Sequence, residues 1–256
     1  MMNKDKKNHS GFTLVELAVV LVIVGLLLGG ILNTLSSRIE NTRKSESLEE
    51  LEEIKQAMIA YAFVNDRLPC PDCDVAGGNA GTCTAGEVGD GIEDINVLVC
   101  SENQDVGHVP WVTLGLGASD AWGTRYRYSV QNTYASTATF TLGSASGTAI
   151  IQEPNFATLT VPPGGAPKAL ANNVVAIIFS HGKNGYGGIN ENNTLRAAIP
   201  AVNIDELNNV DNNQFYYSRP ETSSQANIAG GEFDDIVLWI SEFELKGKMV
   251  QAGALP

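Results

Sequence analysis

Residues 12–32 form an apolar run of twenty-one in which Thr13 and Glu16 are the only polar side chains. At about 1.5 Å rise per residue a helix of that length spans about 31 Å, close to a hydrocarbon core of about 30 Å. The pattern therefore predicts a helix long enough to cross a bilayer. From residue 33 to 47 the chain turns polar, with Leu35 and Ile39 the lone apolar members. A helix polar all round either bridges solvent or waits for partners. Ile54, Ala57, Met58, Tyr61 and Ala62 then follow the i, i+3, i+4, i+7, i+8 spacing of one buried face. Ser47 with Glu50 makes a capping-box pattern that would break or bend the helix near residue 46. We favour one helix from about residue 13 to 65, stopped by Asn65-Asp66-Arg67-Leu68-Pro69.

Beyond that point the pattern changes to short strands. Residues 70–110 are loop-like, rich in glycine and without a sustained period. Residues 126–130 alternate as a strand, and 137–142, 148–152 and 158–161 are further candidates. Residues 174–179 are continuously apolar, the mark of a central strand buried on both faces. An Asn/Gly-rich loop is expected over 181–213, then a short strand at 214–218 and a buried one at 236–240. Ser241 with Glu244 caps a closing helix that carries Leu245, Met249 and Val250 and ends at Gly253. Trp111 and Trp122 read as core residues.

Lys4, Lys6 and Lys7 precede the apolar run and keep that end cytoplasmic, exporting the rest. A secretory signal peptide is the first rival, but no small-x-small cleavage site follows the run promptly, and Gly29-Gly30-Ile31 is a poor one. The small residue, Gly11, comes before the run instead. Gly11-Phe12-Thr13-Leu14-Val15-Glu16 resembles the class III leader of type IV pilins and type II secretion pseudopilins. The resemblance implies cleavage between Gly11 and Phe12 by a prepilin peptidase and N-methylation of Phe12. It also supplies a reason for Glu16, whose carboxylate would otherwise cost roughly 2.5–3.5 kcal/mol in a bilayer. The Phe12 amine of one subunit would neutralise Glu16 of its neighbour. The implied fold is α+β and pilin-like: a long N-terminal helix, membrane-spanning in its first half, packed on an antiparallel β-sheet domain. The expected division is a leader at 1–11, a helix at 12–65 with its assembly segment at 12–32, and a β-rich domain at 66–256. Leu68-Pro69-Cys70-Pro71 and the segment from Asp120 to Tyr128 are similar to features of pilin-like proteins. The helix-breaking proline that many family members carry midway through the apolar half is missing here; Gly25, Gly29 and Gly30 stand in that region.

Charge and cysteines narrow the function classes. With 16 basic and 29 acidic residues the net charge is −13, so nothing here neutralises nucleic-acid phosphates. Cys70, Cys73, Cys83 and Cys100 would lie in an oxidising compartment and form two disulfides. Three pairings exist; we expect Cys70–Cys100 outside Cys73–Cys83, stapling the loop 70–100. Zinc fits poorly, because Cys70-Pro71-Asp72-Cys73 has no second C-x-x-C. Ser180-His181 are adjacent and point apart, and Gly182-Lys183 lacks the Ser/Thr of a phosphate loop. No catalytic residues, cofactor or metal are therefore expected; calcium at Asp205, Asp211 and nearby asparagines is the one ion considered.

The expectation is a non-enzymatic structural subunit of a type IV pilus or type II secretion pseudopilus. Its partners would be the prepilin peptidase, other pilin-like subunits, the inner-membrane assembly machinery and the membrane. It would sit in the bacterial inner membrane with a periplasmic globular domain, then in a surface pilus or periplasmic pseudopilus. The alternative is a filament-tip or membrane-anchored adhesin with a sugar-binding module.

Overall fold

A computed structural model of the chain describes residues 13–73, 88–96, 99–100, 106–136, 140–154, 167–211, 213–224 and 230–255. The helices are α1 (Leu14–Asn65), α2 (Trp111–Leu114), α3 (Asn132–Ala135), α4 (Ile204–Val210) and α5 (Glu242–Gln251). The strands are β1 (Ile95–Asn96), β2 (Val99–Cys100), β3 (Val106–His108), β4 (Arg127–Val130), β5 (Ala149–Glu153), β6 (Lys168–Ser180), β7 (Phe215–Tyr217) and β8 (Ile236–Ser241). The architecture is α+β, an N-terminal helix followed by a mixed sheet domain. The chain divides into two units, Met1–Arg43 and Lys44–Pro256, and α1 runs through both.

Within Lys44–Pro256 the sheet is organised on β6. Strand order is β3-β4-β6-β5-β7, and β8 pairs the other edge of β6. Residues 174–180 are buried, with Ile178 opposite both Tyr128 of β4 and Leu238 of β8. Residues 168–173, which pair only with β5, are largely exposed. Alternation then serves two cores. Ala176 and Ile178 join Leu51, Ile54, Met58 and Ala62 of α1 and Leu245 and Met249 of α5. Ile177 and Phe179 pack with Ile151, Tyr216 and Val237. Every pair of the six-stranded sheet is antiparallel except β5–β7, where Ile151 lies beside Tyr216 in parallel.

The Ser47–Glu50 pattern does not cap a helix. Ser47 is fully buried and its hydroxyl accepts from the Ala121 N–H at 3.2 Å, while Glu50 accepts from the Tyr126 hydroxyl. Both polar side chains serve packing against the sheet domain, and α1 continues through them. It stops where Asp66 turns to φ +55. Beyond the stop, Arg67 clasps Glu93 with two nitrogens at 2.7 and 2.8 Å. Glu93 also accepts from Tyr61 at 2.5 Å and from the Cys70 N–H at 3.0 Å, tying the helix end to the loop entrance.

Elsewhere the pattern and the structure part. Of the strand expected at 137–142, residues 137–139 lie outside the described residues and 140–142 form no strand. Phe140 instead packs against Tyr134 with ring centroids 4.8 Å apart. The candidate at 158–161 lies outside the described residues. The expected loop 181–213 contains α4, whose buried residues are Asp205, Glu206 and Asn209, so no apolar period announces it. Asn209 also accepts from the Tyr217 N–H at 2.7 Å and donates to its carbonyl at 3.2 Å, occupying the outer backbone groups of that residue of β7. At the other end of the strand order, Asp72 exchanges backbone bonds with His108 of β3 at 2.8 and 3.0 Å. Ser241 does cap α5, accepting from the Glu244 N–H at 3.2 Å.

Because Ile178 is fully buried and lies between two hydrogen-bonded neighbours, Ile178→Ala should cost about 2–5 kcal/mol. Denaturant unfolding of the detergent-solubilised chain checks this; a loss below about 1 kcal/mol would contradict the central placement of β6.

Candidate functional site

The segment following the expected cleavage point begins with a cap. Glu16 accepts on one carboxylate oxygen from the Thr13 N–H at 3.0 Å and the Thr13 hydroxyl at 2.9 Å. The Thr13 hydroxyl in turn accepts from the Glu16 N–H at 3.2 Å. This reciprocal pair is a capping box, and α1 starts at Leu14 immediately after it. The Thr-x-x-Glu spacing is the same signal as at Ser47 and Ser241, but here it lies within the apolar run. Among the described residues the second oxygen of Glu16 accepts no hydrogen bond. Gly11 and Phe12 lie outside the described residues.

From Leu17 to Leu26 the helix is apolar on every side, and all its side chains are exposed, Leu17 at 59% and Leu26 at 75%. Such a helix needs lipid or other helices around it. Among the described residues no helix is long and apolar enough to cross a membrane. The side chains of residues 27–35, which complete the run read from the sequence, fall outside those described.

A second constellation lies at the base of the cysteine-rich loop. Cys70 and Cys100 form a disulfide, and Cys73 is also disulfide-bonded. Cys83, its expected partner, lies outside the described residues. Between these cysteines Asp72 is fully buried and accepts from the Gly89 and Gly91 N–H groups, each at 3.0 Å. Both glycines have positive φ, and a Cβ on Gly91 would lie 2.3 Å from the Trp111 ring. Burial pushes the Asp72 carboxyl up to about 8, reinforced by Asp94 and Asp90 and opposed by its Gly91 hydrogen bond and Arg125. These groups hold the loop ends together; nothing among them is placed as a nucleophile.

The other residues singled out from sequence are engaged structurally. Ser180 donates to Asp120 at 2.5 Å and accepts from the Gly182 N–H at 3.0 Å, while the His181 ring stands edge-on to Phe179. Ser180 is fully buried, and its proton goes to Asp120 rather than to the histidine. Of the two aspartates considered for calcium, Asp205 is paired with Arg219 at 2.7 Å and Asp211 accepts from Asn213 at 2.6 Å. The carboxylates that do converge are Glu206, Asp234 and Asp235, with one oxygen of each within 4.8 Å of the others. Amide donors already serve all three: Asn184 and Asn203 bond Glu206, the Asn184 N–H bonds Asp234, and Asn209 bonds Asp235. Burial pushes Asp234 up to about 7, with Glu206, Glu221 and Glu232 adding to it, and drives Asp235 well above its ordinary range. A cleft of about 450 Å³ opens nearby, lined by Tyr186, Val202, Ile204, Ser223 and Glu232 among others.

Comparison with known families matches the prokaryotic N-terminal methylation motif over residues 6–32. The chain thus carries the prepilin leader signature of type IV pilins and pseudopilins. That motif implies processing by a prepilin peptidase and assembly with other pilin subunits. Neither a curated protein nor a solved structure matches the chain.

The raised carboxyls set a pH dependence. Unfolded aspartates titrate near 3.8, so below that value both states hold the proton and nothing is lost. As pH rises toward about 7 for Asp234 and about 8 for Asp72, the folded state binds more protons than the unfolded one, and stability falls. With chelator present, the thermal midpoint should drop between about pH 5 and about pH 8. Asp234→Asn keeps an acceptor for the Asn184 N–H without a charge and should flatten that slope; an unchanged slope would contradict the assignment.

Proposed function

We propose that the chain is a structural subunit of a type IV pilus or type II secretion pseudopilus, cut after Gly11 and assembled through α1. The carrying observation is the helix that starts at Leu14 under the Thr13–Glu16 cap and then presents an unbroken exposed apolar surface from Leu17 to Leu26. In lipid that surface is served at once, but among the described residues Glu16 has only Thr13 as a donor. A neighbouring subunit's freed Phe12 amine supplies a charged donor for the carboxylate oxygen that Thr13 leaves open. Both charges are then paired away from lipid, and the pairing sets the axial register of adjoining subunits.

The remaining features suit an exported, non-enzymatic subunit. The β-rich domain follows the helix, its loop is closed by a disulfide, and the polar groups that might have been catalytic are spent on turns. The working place is the inner membrane with the domain in the periplasm, followed by a surface pilus or a periplasmic pseudopilus.

Glu16→Ala should leave the leader cleaved, read as loss of the first eleven residues by intact mass, yet abolish recovery in sheared or detergent-extracted polymer. Normal polymer from this variant would rule out the role given to Glu16.

A further inference from the structure

The cleft beside α4 is lined by residues 200–204, 223–224 and 230–232 together with Tyr186. Arg219, outside the lining, braces these stretches. Its side chain is fully buried and donates to Asp205, near the start of α4, at 2.7 Å. It also donates to the Thr222 hydroxyl at 2.6 Å and to the Gly231 carbonyl at 2.9 Å. The guanidinium lies 4.5 Å from the centre of the Phe233 ring. Gly231 has positive φ, and a Cβ there would lie 2.5 Å from the Val202 carbonyl oxygen. The two stretches thus approach as closely as bare backbone permits. A cleft held this way is largely pre-formed, and its volume of about 450 Å³ lies within the range of ligand sites.

The lining offers two chemistries. Pro200, Val202 and Ile204 supply aliphatic surface, and Val202 is 71% exposed despite being hydrophobic. Against them stand the Glu232 carboxylate and the hydroxyls of Ser223 and Tyr186. Among the described residues these three side chains make no hydrogen bond or ion pair.

Electrostatics select the ligand. Glu232 alone is charged among the described residues of the lining. Burial raises the Glu206 and Asp234 carboxyls, and the nearby Glu232 charge adds to it in both. Arg219, the cation that braces the cleft, is already paired with Asp205. An anion would therefore be repelled here, and a cation drawn in. One carboxylate beside uninterrupted aliphatic surface matches one positive charge at the end of an aliphatic stem, the form of a basic side chain. A free polyamine carries several charges along its length and would leave all but one without a partner.

We propose that this cleft binds a lysine or arginine side chain from a segment of another protein, its stem along Val202 and Ile204 and its charge at Glu232. The site lies in the sheet domain and does not depend on the filament role.

Saturation-transfer NMR tests it on the full-length chain in detergent micelles, with empty micelles as the blank. The probes are blocked tripeptides, acetyl-Gly-Lys-Gly-amide and its glutamate and norleucine analogues, and spermidine. Transfer should reach the lysine methylenes, with binding about tenfold tighter than for the norleucine peptide and none for the glutamate peptide. Glu232→Gln should remove that margin. Val202→Trp, which fills the cleft from an exposed position, should abolish transfer. Glu49→Gln, which removes an exposed charge from α1, should change neither. Cooperative thermal unfolding shows that each variant is folded. Equal binding of the lysine peptide by the Glu232→Gln chain, or none by the unsubstituted chain, would overturn the site. Spermidine bound as tightly as the lysine peptide would overturn the protein source. Because binding is read on unpolymerised chain, each of these outcomes leaves the filament reading intact.

Discussion

Strand β6 is the constraint on which the domain depends. Over residues 174–180 it is hydrogen-bonded along both edges, and its two faces feed separate hydrophobic clusters. One cluster fixes where the second half of α1 and the whole of α5 lie. The other receives β7 and the residues beside α4. Burial on both faces explains why residues 174–179 read as unbroken Val, Ala, Ile and Phe, with no polar position to alternate. Where β6 leaves its double pairing, at residues 168–173, polar side chains and alanine return.

The Leu14–Arg43 part of α1 answers to different physics from the domain that follows. Among the described residues its large apolar side chains, from Leu14 to Leu26 and at Ile39, are exposed, and a helix of that kind is served by lipid or by other helices. The Thr13–Glu16 cap lets the helix begin at the edge of that surface without waiting for a partner. A carboxylate that completes a cap and still offers an oxygen can serve both before and after assembly.

Elements whose burial is apolar were legible in the sequence; those whose burial is polar were not. Strand β8 and the Ser241 cap of α5 follow from pattern and spacing alone, as does the N-terminal signature. By contrast α4 buries Asp205, Glu206 and Asn209, and a helix that turns its charges inward has the period of a loop. Ser47 and Glu50 had the spacing of a cap but were drawn into tertiary hydrogen bonds, an outcome that spacing cannot reveal. Asp72 was invisible as an organising group because its partners are backbone N–H groups seventeen and nineteen residues away, contributed by glycines with no side chain to read.

The shut ends of the strand order carry a consequence of their own. Asn209 occupies both outer backbone groups of Tyr217, and Asp72 occupies those of His108, so neither terminal strand offers a template to another chain there. Open strand edges invite pairing between copies wherever a protein is concentrated. Sheets that zipped together edge to edge would be hard to undo. With Tyr217 and His108 so engaged, the domain can be concentrated without strand addition at those two positions.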